Sequence, residues 1–286
     1  MNRKLSRRGL LVASTQSGLC FAAGVAAAEP KPVHVLLWLR GGADGLSLVV
    51  PYRDDDYFRA RPSTALAPPG HGVQAAIALS DCLAMHPGFA PLRAWFEQGE
   101  ATWVPGVGAR ELIHSHSSAE RGVRASVARC VGAAEACESF TGSLQEQFAE
   151  LARRIRVGTA PRIAWVEAGG WDTHAGQGSG MQGLLAARVV ELTCSLRAFR
   201  GALGQRWANI RLLAFSEFGR TLQETPLFGT GDGYAAAALL VGGQPFERSV
   251  LGTWPSLAPA ALVEKRHVRP SLTLDALLGS WWRSRP

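Results

Sequence analysis

Residues 33–39 read VHVLLWL and are followed at once by Arg40-Gly41-Gly42-Ala43-Asp44-Gly45. A nearly continuous apolar run of this length, without polar alternation, is typical of a strand that is covered on both faces. The glycine pair ends the run in a turn. Similar short apolar runs recur along the chain, and the sequence predicts strands at 33–39, 101–104, 163–166, 211–215 and 236–241.

Helical patterns lie between these runs. Apolar residues recur at helical spacing in four segments, which predicts helices at 89–98, 139–156, 182–203 and 272–282. A Pro-rich loop is expected at 60–72 and a Gly-rich loop at 226–233. Strands that alternate with helices favour an α/β fold, with a three-layer, mostly parallel sheet and helices on both faces.

The first 28 residues have the pattern of an export signal. The core Ser6-Arg7-Arg8-Gly9-Leu10-Leu11 is similar to a bacterial twin-arginine signal, and a weakly apolar stretch then ends in Ala26-Ala27-Ala28. Cleavage is expected after Ala28, which leaves 29–286 as a single α/β domain in the periplasm or outside the cell. The twin-arginine translocase would be a partner during export. A membrane anchor and a lipoprotein centred on Cys20 are the competing interpretations.

Charge and hydropathy argue against nucleic acid and membrane as partners. The chain has 30 Lys and Arg against 23 Asp and Glu, a net charge of +7. The signal holds four of the basic residues and none of the acidic ones, so the remainder carries only +3. No nucleic-acid partner is therefore expected. No later apolar run is long enough to cross a membrane, so no stable membrane span is expected.

Polar segments follow the predicted strands. Asp44 comes after the first strand, His114-Ser115-His116 after the second, Trp171-Asp172-Thr173-His174 after the third and Ser216-Glu217-Phe218-Gly219-Arg220-Thr221 after the fourth. The carboxyl ends of parallel strands lie at one edge of a sheet, which is where open α/β sheets bind ligands. These segments are therefore expected to converge.

The converging side chains have the chemistry of a metal site. Carboxylates and imidazoles suit zinc, manganese or, with water, magnesium. One or two such ions are expected on Asp44, Asp172, His174 and Asp232. Ser115 is the candidate nucleophile, because metal coordination activates a hydroxyl.

The candidate substrate-binding residues are Arg40, His116, Glu217 and Arg220. Either arginine could bind a phosphate or sulfate in a forked geometry.

Each of these residues also has a plain structural interpretation. Asp44 and Asp232 stand beside glycines, where an aspartate commonly stabilises a turn. Asp172 and Ser115 could cap helices. Glu217 could pair with Arg220 without touching a ligand.

The cysteines leave similar alternatives. Cys130 and Cys137 could form a disulfide in an oxidising compartment, or both could be small core residues. Cys82 and Cys194 are expected in the core.

Taken in order, the motifs resemble a known family. The run 39–46, the pair His86-Pro87, the segment 114–116, the run 169–174 and the run 215–221 are similar to segments of the exported bacterial proteins grouped as domain of unknown function 1501. The resemblance implies an alkaline-phosphatase-like or sulfatase-like fold. It also implies two metal ions and a Ser or Thr nucleophile acting on phosphate or sulfate esters, with Asp44, Asp172 and His174 as ligands and Ser115 near the nucleophile position.

The chain departs from the family pattern at the expected metal site. Where the family usually has Gly-Thr-Asp-His-Gly, this chain has Gly229-Thr230-Gly231-Asp232-Gly233, so an Asp-His pair is replaced. Phe is also missing after His116, Arg121 stands at an acidic position, and the segment 120–161 is short.

Three functions follow as expectations. The first is an exported metal-dependent hydrolase of small or polymeric esters. The second is a non-catalytic periplasmic binding or interaction protein that keeps the fold. A third, a structural or secretion-associated partner, has only the signal in its favour.

Overall fold

The run at 33–39 forms a central strand of the sheet. A computed structural model describes residues 32–108, 116–131, 137–243 and 245–283, with side chains of the 116–131 helix described from residue 121 onwards. All of these residues belong to one compact unit. The signal segment, Ser115 and the side chain of His116 lie outside the described residues.

The strands include all five predicted from the sequence. They are β1 Val33–Leu39, β2 Val49–Val50, β3 Ile77–Ala78, β4 Ala84–Met85, β5 Ala101–Gly108, β6 Cys137–Ser139, β7 Ile163–Ala168, β8 Ile210–Phe215, β9 Gly219–Glu224, β10 Thr230–Gly233, β11 Ala235–Gly242 and β12 Leu272–Thr273.

The α-helices are α1 Gly45–Leu48, α2 Asp55–Ala60, α3 Arg93–Glu97, α4 His116–Val131, α5 Leu144–Val157, α6 Gly183–Leu203 and α7 Leu274–Arg283. Short 3₁₀ helices span Pro87–Leu92 and Gly204–Asn209.

Three predicted helices differ from the structure in their bounds. The helix expected at 272–282 begins only at Leu274, because Leu272–Thr273 form β12. The helix expected at 139–156 begins only at Leu144, because residues 137–139 form β6 and Ser143 caps α5 in a reciprocal capping box with Glu146. The helix expected at 89–98 is divided into a 3₁₀ helix and α3, with Pro91 inside the first part. Proline removes a helical hydrogen bond, which accounts for the division.

The main sheet has seven strands in the order β12-β5-β11-β8-β1-β7-β6. Alternate residues of β1 face opposite layers. Val35 and Leu37 lie in a core with side chains of α5 and α6, while Leu36 and Trp38 lie in a core with side chains of α4 and α7. The described chain is therefore a three-layer α/β fold, as expected.

A mostly parallel sheet was expected, and the structure has a mixed one. β1 is parallel to both of its neighbours, but β11 runs antiparallel to β5 and β8. The cause is the hairpin of β9 and β10, which follows β8 and turns the chain back into the sheet. The segment expected to be a loop at 226–233 thus contains β10.

The cysteines correct one expectation. Cys82 and Cys194 are exposed rather than in the core, since Cys82 lies in the loop before β4 and Cys194 on the solvent side of α6. Cys130 and Cys137 are free thiols. Within the described residues, no helix is long and apolar enough to span a membrane.

Candidate functional site

Four of the predicted site residues, Asp172, His174, Arg220 and Asp232, converge where β1, β7 and β8 end. Arg220 lies at the centre of this edge and its side chain is fully buried. Its Nε donates to Gly42 O at 2.6 Å and its Nη2 to Gly41 O at 2.5 Å. Its Nη1 donates to Thr230 O at 3.2 Å. The guanidinium therefore ties the turn after β1 to β10.

The same guanidinium binds two of the predicted metal ligands. Nη2 donates to Asp172 Oδ1 and Nη1 to Asp232 Oδ1, both at 3.0 Å. Nη1 also lies 2.9 Å from His174 Nδ1. Asp232 faces Arg220 across the β9–β10 hairpin, and this register places it in the group.

Asp172 and His174 form a local pair. Asp172 Oδ1 lies 2.5 Å from His174 Nδ1 and accepts the backbone N–H of His174 at 3.2 Å. His174 Nε2 lies 3.5 Å from Asp232 Oδ1. The side chains of Asp172, His174 and Asp232 are 46%, 47% and 34% exposed, so the group is open to solvent on one side.

These contacts keep the Asp172 carboxyl ionised. Burial raises the pKa of its carboxyl, but hydrogen bonds from His174 and Arg220 outweigh that effect and lower the pKa to about 2. Asp172 is therefore an ionised acceptor across the ordinary pH range.

Asp44 lies beneath this group and is fully buried. Its Oδ2 accepts from Arg61 Nη1 at 2.5 Å and its Oδ1 accepts from Arg61 Nη2 at 2.9 Å. Ser47 Oγ donates to Oδ2 at 2.6 Å. Burial raises the pKa of Asp44, but the guanidinium charge outweighs it and holds that pKa below its ordinary value. Both carboxylate oxygens are thus satisfied by the protein.

Gln177 connects Asp44 to the open group above it. Its Nε2 donates to Asp44 Oδ2 at 2.7 Å. Its Oε1 accepts from Thr173 Oγ1 and from Thr230 Oγ1, both at 2.8 Å. These two threonines adjoin the exposed side chains on β10 and on the 171–174 segment. The buried network therefore positions the backbone that carries the site.

Glu217 is buried and hydrogen-bonded within the protein rather than exposed at the site. Its side chain is buried, and its Oε2 accepts from Trp38 Nε1 at 2.8 Å. Its Oε1 accepts from the backbone N–H of Gly41 at 2.8 Å. Glu217 thus holds the turn after β1 and does not pair with Arg220, contrary to the structural alternative. Its predicted contact with substrate stays a prediction.

The other predicted residues are placed differently. Arg40 is exposed at the end of β1, and its guanidinium lies beside Gly169. Trp171 is buried in the core. The nucleophile assignment of Ser115 and the substrate contact of His116 fall outside the described side chains.

These donors do not fit a two-metal centre as they stand. Asp44 is committed to Arg61, and the remaining three predicted ligands surround a guanidinium whose single positive charge offsets part of the charge of the two carboxylates. Among the described residues, no group of three or more His, Cys, Asp or Glu side chains is arranged to hold a metal ion. A metal at this edge would require Arg220 to move, so the metal assignments stay predictions.

Two functional positions were missed at the sequence level. Arg61 and Gln177 hold Asp44, yet neither belongs to a motif or follows a predicted strand. An isolated arginine in a Pro-rich stretch gives no local signal of burial. Only its full burial against Asp44 reveals its role.

The fold and this site define a three-layer α/β protein with an open carboxylate–imidazole group built on a buried arginine. A family model described as protein of unknown function (DUF1501) matches residues 115–279, more than half of the chain. The chain therefore belongs to that family, as its motifs indicated. No curated protein matches the chain.

Proposed function

We propose that this chain is a non-catalytic binding member of its family, with an alkaline-phosphatase-like fold, that recognises a hydroxyl-rich neutral ligand such as a polysaccharide. The observation that supports this is the position of Arg220. Its guanidinium supplies, from within the protein, the positive charge that metal ions would supply in a hydrolase.

The charges favour a neutral ligand over an anionic one. Asp172 and Asp232 expose part of their carboxylates, while the guanidinium that pairs with both is fully buried. A phosphate or sulfate ester would approach two partly exposed carboxylates, while the guanidinium that lies between them is fully buried. Hydroxyl groups, in contrast, donate readily to carboxylate and imidazole acceptors.

Export belongs to the same proposal. The twin-arginine pattern at residues 6–11 would deliver the folded chain to the periplasm or the medium, where polysaccharides are available. Replacing Arg7 and Arg8 with lysine should retain the protein in the cytoplasm, as measured by fractionation of cells. Unchanged export would remove this part of the proposal.

Affinity electrophoresis tests the binding function. The purified chain should be retarded in gels that contain a neutral polysaccharide, with dextran, hydroxyethylcellulose and soluble starch as probes, and less so in alginate. Asp172→Asn and Asp232→Asn should each weaken retardation by at least about tenfold, since hydrogen bonds to charged groups contribute about 1.5–3 kcal/mol.

Asp81→Asn is the matched control, because Asp81 is exposed in a loop and its side chain is outside the site. It should bind like the unaltered protein. If neither variant at the site differs from this control, the proposed binding site is wrong.

A metal-dependent ester hydrolase is the second candidate. It is favoured by the convergence of Asp172, His174 and Asp232 at the edge where the parallel strands end. Elemental analysis of protein purified without chelator, with turnover of aryl phosphate and aryl sulfate, separates the two. Two bound metals and turnover lost in Asp172→Ala would establish the hydrolase.

A further inference from the structure

A cavity lies at the opposite edge of the sheet from the candidate site. It occupies about 450 Å³ between the start of β8, the end of β11 and helix α7. Its walls are mainly apolar and include Val104, Leu240, Leu251, Leu277 and Trp281. Volumes of roughly 300–1,000 Å³ are typical of small-molecule sites.

One charged side chain, Arg211, lines this apolar cavity. Within the described residues its guanidinium has no hydrogen-bond or ion-pair partner. Burial alone lowers its pKa, with no acidic group to oppose the effect. A guanidinium at the rim of an apolar cavity can bind an anion in a forked, charge-assisted geometry.

We propose that this cavity binds a single-chain anionic amphiphile, with its alkyl chain among the apolar walls and its carboxylate or phosphate on Arg211. The alkyl chain and the charged headgroup of the ligand each match one part of the cavity. The apolar walls favour a hydrocarbon chain, and the guanidinium matches the geometry of a carboxylate or phosphate. This inference does not depend on the function proposed for the opposite edge.

Titration calorimetry with dodecanoate, below its micelle concentration, tests the proposal on the purified full chain. Dodecanoate should bind with one site, and decanoate about fifteenfold more weakly, because each buried methylene changes affinity about fourfold. Dodecyltrimethylammonium should bind much more weakly than dodecanoate. Dodecyl phosphate, compared with dodecanoate, identifies which headgroup the site prefers.

Two variants locate the site. Arg211→Gln should weaken dodecanoate at least tenfold and leave binding of dodecanol nearly unchanged. Ala276→Phe should block both, since Ala276 lies on the exposed side of α7 and lines the cavity. Arg206→Gln removes an exposed arginine nearby and should bind like the unaltered protein.

The outcomes are decisive in either direction. Loss of dodecanoate in Arg211→Gln and Ala276→Phe, with both variants folded by circular dichroism, supports the proposal. Absence of dodecanoate binding in the unaltered protein overturns it. Equal affinity in all three variants, or equal affinity for dodecyltrimethylammonium, also overturns it.

Discussion

Asp44 and Arg61 form a fully buried, two-point ion pair beneath the candidate site, with N–O distances of 2.5 and 2.9 Å. Arg61 also donates to the backbone carbonyls of Thr221 and Leu222, both at 2.9 Å. The pair thus connects the turn after β1 to β9. An aspartate that sequence motifs assign to a metal is, in this structure, the partner of an arginine.

Asp44→Asn should destabilise the protein strongly. The change leaves the Arg61 guanidinium buried without its counter-charge, which typically costs about 3–5 kcal/mol. Denaturant unfolding measures the loss. The matched control is Asp56→Asn in the exposed Asp56–Arg59 pair, which should leave stability close to that of the unaltered protein. Equal stabilities for the two variants would show that the buried pair contributes little.

His86 should make stability fall in mildly acidic solution. Burial lowers the pKa of His86 to about 4, although the nearby Asp44 charge opposes this. Between pH 6.5 and 4 the unfolded chain therefore binds a proton that the folded protein does not. Above about pH 6.5 His86 is neutral in both states and does not reduce the free energy of unfolding. That free energy should fall by about 3 kcal/mol as the pH decreases to about 4.

Denaturant unfolding at several pH values checks this expectation. His86→Asn is the informative variant, because asparagine can still accept the Gly88 N–H that His86 Nδ1 now accepts, but does not titrate. Its stability should depend less on pH over this range. An unchanged pH dependence would assign the loss to other groups.

Arg220→Met should convert the open group into a better cation site. The variant removes the guanidinium but leaves two carboxylates and an imidazole close together. Zinc should therefore raise its Tm, by an amount that corresponds to about 2.7 kcal/mol when the metal is at a hundred times its Kd. Thermal unfolding with and without zinc measures this. Adding His174→Ala should abolish the effect, and an identical response in the unaltered protein would contradict it.

The replaced Asp-His pair predicts a second gain of metal binding. Gly231 does not have a positive φ, and a Cβ there would meet only Thr221, at 3.5 Å, so a side chain can be accommodated. Gly231→Asp with Asp232→His restores the family pattern and should retain zinc in elemental analysis. Gly231→Asn with Asp232→Asn, similar in size but weak as ligands, is the control. Equal metal content in both would argue against a latent site.

The sequence predicted the sheet better than the site. The apolar runs at 33–39 and 163–166 form neighbouring buried strands, because burial on both faces is directly visible as continuous hydrophobicity. It also predicted that Asp172, His174 and Arg220 would meet at one edge, since segments that follow parallel strands share that edge. The antiparallel orientation of β11 could not be predicted, because an apolar run has the same pattern in a parallel and in an antiparallel strand.

Family membership and the grouping of polar residues at the strand ends were therefore determined by the sequence itself. The tertiary structure decided what those residues contact. Asp44 contacts Arg61, which is 17 residues away in the sequence, and Gln177, which is 133 residues away. Arg220 contacts Asp172, which is 48 residues away. Hydrophobic periodicity reports only local burial, whereas the partner of a charge depends on the path of the whole chain. That path turns Arg220 inward and makes a protein side chain the cation of this site.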